Sequence, residues 1–140
     1  MMPINPTSPD EHLVAIVDDD ASVRQSARRL IRSLGYRAEA FGSSEEFLNS
    51  GQATKTACLI LDVRMPRIDG LELQRRLAGS KPPIPIVFIT ARASEEEERR
   101  ALQAGAVAFL RKPVDKEALL RVLGAVLESS DNDGGSHEDD

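Results

Sequence analysis

The sequence predicts a single α/β domain in which helices cover both faces of a parallel five-stranded sheet, giving three layers. Five short apolar runs alternate along the chain with five helical patterns. Four of these runs are nearly continuous, as expected for strands that are buried on both faces. Because short connections through a helix require parallel strands and right-handed crossovers, the repeated β-α order predicts a doubly wound sheet.

The predicted elements follow one another without interruption. The strands are expected at residues 13–17, 36–41, 58–61, 84–89 and 106–110. The helices are expected at residues 21–35, 43–50, 70–79, 94–105 and 115–130. In the first helix the apolar side chains recur at a spacing of about 3.6 residues. Gly35, Gly79 and Gly105 stand where helix C-terminal glycines belong, and Ser94 with Glu97 forms a capping-box pattern.

The folded domain is expected to cover residues 12–128. Residues 1–11 contain three prolines and predict a flexible N-terminal arm. Residues 129–140 have the composition of a disordered acidic tail or a linker remnant. His12 and His137 lie near the two ends without companions at metal-ligand or catalytic spacing, so both are expected to be solvated.

Charge and composition exclude several classes of protein. The formal net charge is −5, and the Lys and Arg residues look scattered, so no direct binding of nucleic acid is expected. The N-terminus lacks a signal-peptide pattern, and no apolar run approaches the ~18 residues that span a bilayer. Cys58, the single cysteine, lies in an apolar run and is expected to be a small buried hydrophobe. We therefore expect a cytoplasmic protein without membrane contact.

Polar side chains follow four of the five predicted strands. Asp18, Asp19 and Asp20 follow the first strand, and Asp62 follows the third. Thr90 follows the fourth strand, and Arg111, Lys112 and Pro113 follow the fifth. In a parallel sheet these residues share one rim, the carboxyl ends of the strands, where ligands of such folds bind.

Crowded carboxylates at this rim need a cation, since like charges raise each other's pKa values. Mg²⁺ suits an all-oxygen site without His or Cys ligands. An Asp carboxylate beside such a metal can act as a nucleophile towards phosphorus, with the Lys112 ammonium and the Thr90 hydroxyl stabilising the transferred group. The rim is therefore interpreted as a phosphoryl acceptor that requires Mg²⁺.

The same residues lie in motifs that resemble the receiver domain of bacterial two-component response regulators. The matching motifs are "IVDDD" (16–20), "LDVRMPRIDGLEL" (61–73), "PIVFITA" (85–91) and "GAVAFLRKPVD" (105–115). The resemblance implies a CheY-like, flavodoxin-like (βα)5 fold with strand order 2-1-3-4-5. Much of the sequence of these motifs is similar to that of receivers in FixJ/LuxR-type transcription regulators.

The resemblance implies a role for each residue at the rim. Asp62 becomes the phosphoacceptor, and the implied Mg²⁺ ligands are Asp19, Asp62 and the backbone carbonyl of Arg64, with Asp18 acting through water. Thr90 and Lys112 become the groups that contact the phosphoryl oxygens. Other implied features concern single positions: Phe109 as the switch aromatic beside Thr90, a cis peptide at Lys112-Pro113, and Asp20 as the N-cap of the first helix.

The resemblance also implies partners and a signal. A histidine kinase or a histidine phosphotransfer protein would phosphorylate Asp62, and the face formed by the fourth helix, fifth strand and fifth helix would then bind a partner or a second copy. The chain would be a signalling switch with only weak self-phosphorylation and autodephosphorylation, not an enzyme. It departs from many relatives at Arg67, where they carry Gly. Arg64 and Arg92 occupy two variable positions that tune the lifetime of the phosphoryl group in the family.

Three alternatives were considered. The first concerns the longer protein to which the domain could belong, and the other two concern different classes of protein. The chain could be the receiver half of a DNA-binding transcription regulator whose output domain lies elsewhere. A phosphatase of the haloacid dehalogenase type would need a further acidic pair on a late strand, where this sequence has Thr90 and Lys112. A flavin-binding module would need a loop rich in Gly, Ser or Thr after the first strand, which is absent from the sequence.

Overall fold

The computed structural model describes residues 12–136 of the chain, with side chains described up to residue 127. Within this part, five strands alternate with five α-helices. The elements are β1 Leu13–Val17, α1 Ala21–Ser33, β2 Arg37–Phe41, α2 Ser44–Asn49, β3 Thr56–Leu61, α3 Gly70–Leu77, β4 Ile86–Thr90, α4 Glu95–Gln103, β5 Ala108–Arg111 and α5 Lys116–Ser136. A short 3₁₀ helix at Ala53–Lys55 precedes β3. None of the described helices is long and apolar enough to cross a membrane.

The five strands form one parallel sheet with the order β2-β1-β3-β4-β5. The predicted fold class and strand order are therefore confirmed. The register aligns the carboxyl ends of neighbouring strands: Val17 lies beside Leu61, and Thr90 lies beside Arg111. The residues that follow these strands consequently meet at one rim of the sheet.

Each face of the sheet has its own apolar core. One core joins Leu59, Leu61 and Phe88 with Leu73 of α3, all of them fully buried. The core on the opposite face contains Ile31 of α1 and three leucines of α5 at a helical spacing of four residues. These are Leu119, Leu123 and Leu127. Both faces of the strands are covered, which explains why their sequences are continuous apolar runs.

The helix termini follow the sequence signals closely. The Asp20 carboxylate accepts hydrogen bonds from the N–H groups of Ser22 and Val23, so this residue is the N-cap of α1 as expected. The capping box of Ser94 and Glu97 at the start of α4 is confirmed, with both reciprocal hydrogen bonds present. Gly35 and Gly105 follow α1 and α4 with φ of 96° and 107°. Gly79 follows the C-cap of α3 without a positive φ.

The strand boundaries differ from the predicted ones by one or two residues. β3 begins two residues early, at Thr56, which lies beside Leu13 of β1 through a register shift. β4 begins two residues late, immediately after Pro85, because proline has no N–H to donate within the sheet. These shifts leave the carboxyl ends of the strands, and hence the rim, where the sequence placed them.

The predicted ends of the domain lie partly outside the described residues. The predicted arm at 1–11 and His137 lie outside the described residues. The predicted boundary at residue 128 falls within α5, whose backbone helix continues to Ser136. The expectation that His12 is solvated was wrong, since it is only 9% exposed and its ring lies edge-on to Tyr36 at 6.4 Å.

Cys58 is completely buried in β3, in the core beneath α1 and α5. Burial raises the pKa of its thiol to about 12 because the thiolate would lose its hydration. The expectation of a small buried hydrophobe is confirmed.

Arg67, in the loop between β3 and α3, adopts a left-handed backbone with φ of 66°. Its exposed side chain makes only a 3.7 Å contact with Glu45. We expect the Arg67→Gly variant to be more stable than Arg67→Ala by about 1 kcal/mol, because glycine lacks the Cβ that is crowded in this conformation. Urea denaturation of both variants measures the difference, and both lose the same ion pair. Equal stabilities would contradict the prediction.

Candidate functional site

Three carboxylates converge at the rim of the sheet. Asp18 follows β1, Asp62 follows the neighbouring β3, and each offers an oxygen within 4.8 Å of the other and of an oxygen of Asp19. Asp18 is 4% exposed and Asp62 is 7% exposed, whereas Asp19 is open to solvent. The structure therefore brings together the three acidic residues that the sequence predicted to share a site.

Lys112 supplies the positive charge of this cluster. Its Nζ lies 2.9 Å from Oδ2 of Asp18 and 3.4 Å from Oδ2 of Asp62. Burial lowers the pKa of Lys112, but the hydrogen bond and charge of Asp18, followed by the charge of Asp62, outweigh burial and raise this pKa overall. Lys112 is therefore a fixed cation between the two buried carboxylates.

Burial is also the largest influence on Asp18, and it raises the pKa of that carboxyl group above its ordinary value. The N–H of Asp20, which donates to Oδ1 of Asp18 at 2.9 Å, and the ammonium of Lys112 act in the opposite direction. The nearby charge of Asp62 adds to the increase. A further cation at this site would relieve both the desolvation and the mutual repulsion of the carboxylates.

The backbone around Asp62 holds its carboxylate in place. The N–H of Arg64 donates to Oδ1 of Asp62 at 3.2 Å, and the N–H of Asp62 donates to the carbonyl of Val17 at 3.1 Å. Gly70 packs against this turn so closely that a Cβ there would lie 2.2 Å from the carbonyl oxygen of Asp62. The Asp62 carboxylate thus stands on a tightly packed turn between β3 and α3.

The donor set fits a hard divalent cation. It consists of carboxylate oxygens only, and among the described residues no histidine or cysteine joins the cluster. Such ligands suit Mg²⁺, which is commonly held by one or two carboxylates while it keeps several waters. The exposed position of Asp19 leaves room for those waters.

Thr90 and Phe109 lie on β4 and β5 near the rim of the sheet. Thr90 is completely buried at the end of β4, and its hydroxyl donates to the carbonyl of Arg92 at 3.1 Å. Phe109 on β5 is partly buried, with its ring 5.6 Å from that of Phe88. The Thr90 hydroxyl is thus hydrogen-bonded to the loop before α4.

Two arginines near the site make contacts that the sequence did not predict. Arg24 of α1 donates to the carbonyl of Asp18 at 2.8 Å. Arg111 packs over the ring of Phe109, 5.4 Å from its centroid, and donates to the carbonyl of Ala93 and to Glu98. Arg111 was expected at the rim, but no role was predicted for either arginine, because their partners lie on other elements. The expected cis peptide at Lys112-Pro113 is present, and Lys81-Pro82 is also cis.

Comparison with known proteins places this site in a family. A family model described as "Response regulator receiver domain" matches residues 14–124. The chain is 41% identical over 118 residues to the response regulator protein TmoT of Ectopseudomonas mendocina, covering 84% of this chain and 54% of that protein. It is 43% identical over 116 residues to Nodulation protein W of Bradyrhizobium diazoefficiens, covering 83% and 51%.

A solved structure agrees with these matches. The crystal structure of a response regulator receiver protein from Burkholderia phymatum superposes with a TM-score of 0.73 at 46% identity, covering 84% of this chain and 95% of that chain. The chain spans about half the length of the curated relatives, and nearly all of this solved receiver.

The close approach of Gly70 to Asp62 can be tested by substitution. We expect Gly70→Ala to destabilise the protein by about 1–3 kcal/mol, because the new methyl group forces the turn below Asp62 to move. Gly79→Ala is the matched control, since nothing lies within 4 Å of a Cβ at that position. Thermal or urea denaturation checks both variants. A Gly70→Ala variant as stable as Gly79→Ala would contradict the prediction, because it would show that the turn can move at little cost in stability.

Proposed function

This chain belongs to the response regulator receiver domain family, and we propose that it accepts a phosphoryl group on Asp62 from a histidine kinase or a histidine phosphotransfer protein. The observation that carries the proposal is the position of the Asp62 carboxylate. It lies within 3.4 Å of the Lys112 ammonium and shares a possible metal cluster with Asp18 and Asp19. The wider class is a phosphoacceptor signalling module.

In the proposed transfer, an oxygen of Asp62 attacks the phosphorus of a phosphohistidine. An O–P bond forms as the P–N bond breaks, and the imidazole nitrogen keeps the electron pair and takes up a proton. The Lys112 ammonium, already aimed at Asp62, neutralises charge on the phosphoryl oxygens. Mg²⁺, held by Asp19, Asp62 and the Arg64 carbonyl with Asp18 acting through water, would supply further charge neutralisation when bound.

The signal would arise from a change at Thr90. In the structure the Thr90 hydroxyl donates a hydrogen bond to the carbonyl of Arg92. After phosphorylation it would exchange this acceptor for an anionic oxygen of the phosphoryl group on Asp62. Movement of Thr90 would vacate space beside Phe109, whose ring packs against the guanidinium of Arg111. We propose that this exchange shifts the surface formed by α4, β5 and α5 between two arrangements.

The distribution of exposed apolar side chains supports this surface as the output. The exposed large hydrophobic residues in the described part of the chain are Leu102 on α4, Val107 before β5 and Leu120 on α5. Each is more than a third exposed. Apolar side chains that share a face and are rimmed by polar residues mark interaction sites. We propose that a partner protein or a second copy of the chain binds here after phosphorylation.

The context of the domain is also part of the proposal. We propose a cytoplasmic switch without direct contact to nucleic acid or membrane. Because the chain spans about half the length of its curated relatives, a second candidate is the receiver half of a DNA-binding transcription regulator. The phosphatase alternative finds no support, because Thr90 ends β4 and Lys112 follows β5, where that class needs an acidic pair.

Phosphorylation can be tested by intact mass after incubation with acetyl phosphate. We expect a gain of one phosphoryl group that requires Mg²⁺ and is lost with EDTA. The gain should disappear in Asp62→Asn, which removes the nucleophile, and persist in Asp115→Asn, an exposed carboxylate outside the site. A folded protein that gains no mass from a working donor, or gains it in Asp62→Asn, contradicts the assignment.

The output surface can be tested by sedimentation velocity with and without acetyl phosphate and Mg²⁺. We expect association of the phosphorylated protein, and we expect Val107→Glu to weaken it at least tenfold because a charge would be buried in the contact. The control is Ala78→Glu, which introduces the same negative charge at an exposed position after α3. Association that is unaffected by Val107→Glu would place the contact elsewhere, and a permanent monomer would favour a separate partner.

A further inference from the structure

An apolar cleft lies between helix α1 and the segment that joins β5 to α5, and its walls take no part in the proposed phosphoryl transfer. Its volume is about 370 Å³. The walls consist of apolar side chains from the two segments: Val23, Ala27, Leu30, Val114 and Leu119. All of these except Leu119 are only half-buried. Ligand sites in proteins are commonly concave, mostly apolar and about 300–1,000 Å³ in volume. The size and lining of the cleft are therefore those of a site for a small ligand.

The cleft lies at the topological switch point of the sheet. Its floor includes Ile16 of β1 and Ile60 of β3. These two strands are neighbours, and β2 lies on one side of the pair while β4 lies on the other. In doubly wound folds the crevice at this point commonly binds ligands. The inner end of the cleft reaches Asp18, Asp62 and Lys112, so it borders the acidic cluster.

The two ends of the cleft carry opposite charge. At the inner end, the two carboxylates of Asp18 and Asp62 outnumber the single ammonium of Lys112. The outer end continues into a second depression, which is bordered by Arg29 and Lys116. The two depressions form one continuous cleft because they share three lining residues: Ser26, Leu30 and Val114. An anionic group is therefore repelled at the inner end and attracted at the outer end.

The two cations at the outer end are exposed and not already engaged. Among the residues that the structure describes, neither Arg29 nor Lys116 forms an ion pair or a side-chain hydrogen bond. Helix α1 contains no acidic residue that would oppose Arg29. Asp115 and Glu117 flank Lys116 in the sequence, and the Asp115 carboxylate accepts a hydrogen bond from the N–H of Glu117. Arg29 is therefore the principal anion-binding group, and Lys116 adds to it.

We propose that this cleft binds a medium-chain fatty acid. The hydrocarbon chain lies against the apolar wall between Val23 and Leu30, which are about 10 Å apart along the axis of α1. The carboxylate lies at the outer end, where the guanidinium of Arg29 can donate two parallel hydrogen bonds to it. The repulsion from Asp18 and Asp62 fixes this orientation. The proposal goes beyond phosphoryl transfer and does not depend on phosphorylation of Asp62.

The test is an NMR titration of the isotope-labelled chain with sodium decanoate, below the concentration at which decanoate forms micelles and without divalent cations. Decanol and decylammonium chloride are titrated in parallel, because they carry the same chain with a neutral and a cationic head group. We expect saturable shifts of the methyl signals of Val23, Leu30 and Val114. We also expect decanoate to bind at least tenfold more tightly than either of the other two compounds.

Occupation of the cleft is tested by filling it at Ser26, which is exposed and lines both depressions. We expect Ser26→Trp to reduce the affinity for decanoate at least tenfold, because the indole takes the space of the hydrocarbon chain. Gln25→Trp is the matched control, since Gln25 is the adjacent exposed residue of α1 and does not line the cleft. It should change the affinity less than twofold. Circular dichroism verifies that both variants fold.

Recognition of the carboxylate is tested by removing the two cations. The double variant Arg29→Gln/Lys116→Gln should reduce the affinity for decanoate at least tenfold and leave the weak affinity for decanol unchanged. The control Arg100→Gln/Arg121→Gln removes the same charge from exposed positions on α4 and α5, and it should change the affinity for decanoate less than twofold. Added NaCl should weaken the binding of decanoate, because it screens the attraction between exposed charges.

Other outcomes overturn the proposal. The absence of saturable shifts, equal losses in the two tryptophan variants, or equal losses in the two double variants would each show that the cleft does not bind a fatty acid. Decanol that binds as tightly as decanoate would show that the carboxylate is not recognised. Tighter binding of decylammonium would assign the cleft to a cationic ligand whose head group lies at Asp18 and Asp62. Shifts of the same methyl signals when the free protein is concentrated would show that a second copy of the chain covers the cleft.

Discussion

The Lys112 ammonium between two buried carboxylates is the interaction on which the rest of this molecule depends. Removing a carboxylate from water costs several kcal/mol, and that cost is recovered only when a cation and hydrogen-bond donors replace the lost hydration. Lys112 provides the cation, and the N–H groups of Asp20 and Arg64 provide donors to Asp18 and Asp62. These contacts accommodate two buried carboxyl groups at the end of a tightly packed sheet.

This arrangement needs the whole sheet to be in place. Lys112 and Asp18 are 94 residues apart in sequence, and they meet because β5 and β1 are parallel strands whose carboxyl ends share a rim. The two apolar cores hold the strands in register, and tight packing at Gly70 fixes the turn that carries Asp62. Core packing therefore determines the geometry of the site, because a strand displaced by one residue would separate Lys112 from the carboxylates.

The fold and the acidic cluster were predictable, because both follow from local patterns in a parallel sheet. Apolar runs located the strands, and the polar residues after four of these runs located the rim. The orientation of the Thr90 hydroxyl and the burial of His12 were not predictable, since they depend on neighbours far away in sequence. The same is true of ion pairs between distant elements, such as Arg64 with Glu97, because counting charges in the sequence cannot show which carboxylates are within reach.

One carboxylate oxygen links the turn after Asp62 to the start of α4. Oε1 of Glu97 accepts from the N–H of Ser94, which completes the capping box, and also from the guanidinium of Arg64. Opening of the first turn of α4 would break both bonds together, so local unfolding of this helix end and loosening of the turn after Asp62 share part of their free energy. In hydrogen exchange, the amides of these two segments would behave as one cooperative unit, although 33 residues separate Arg64 from Glu97.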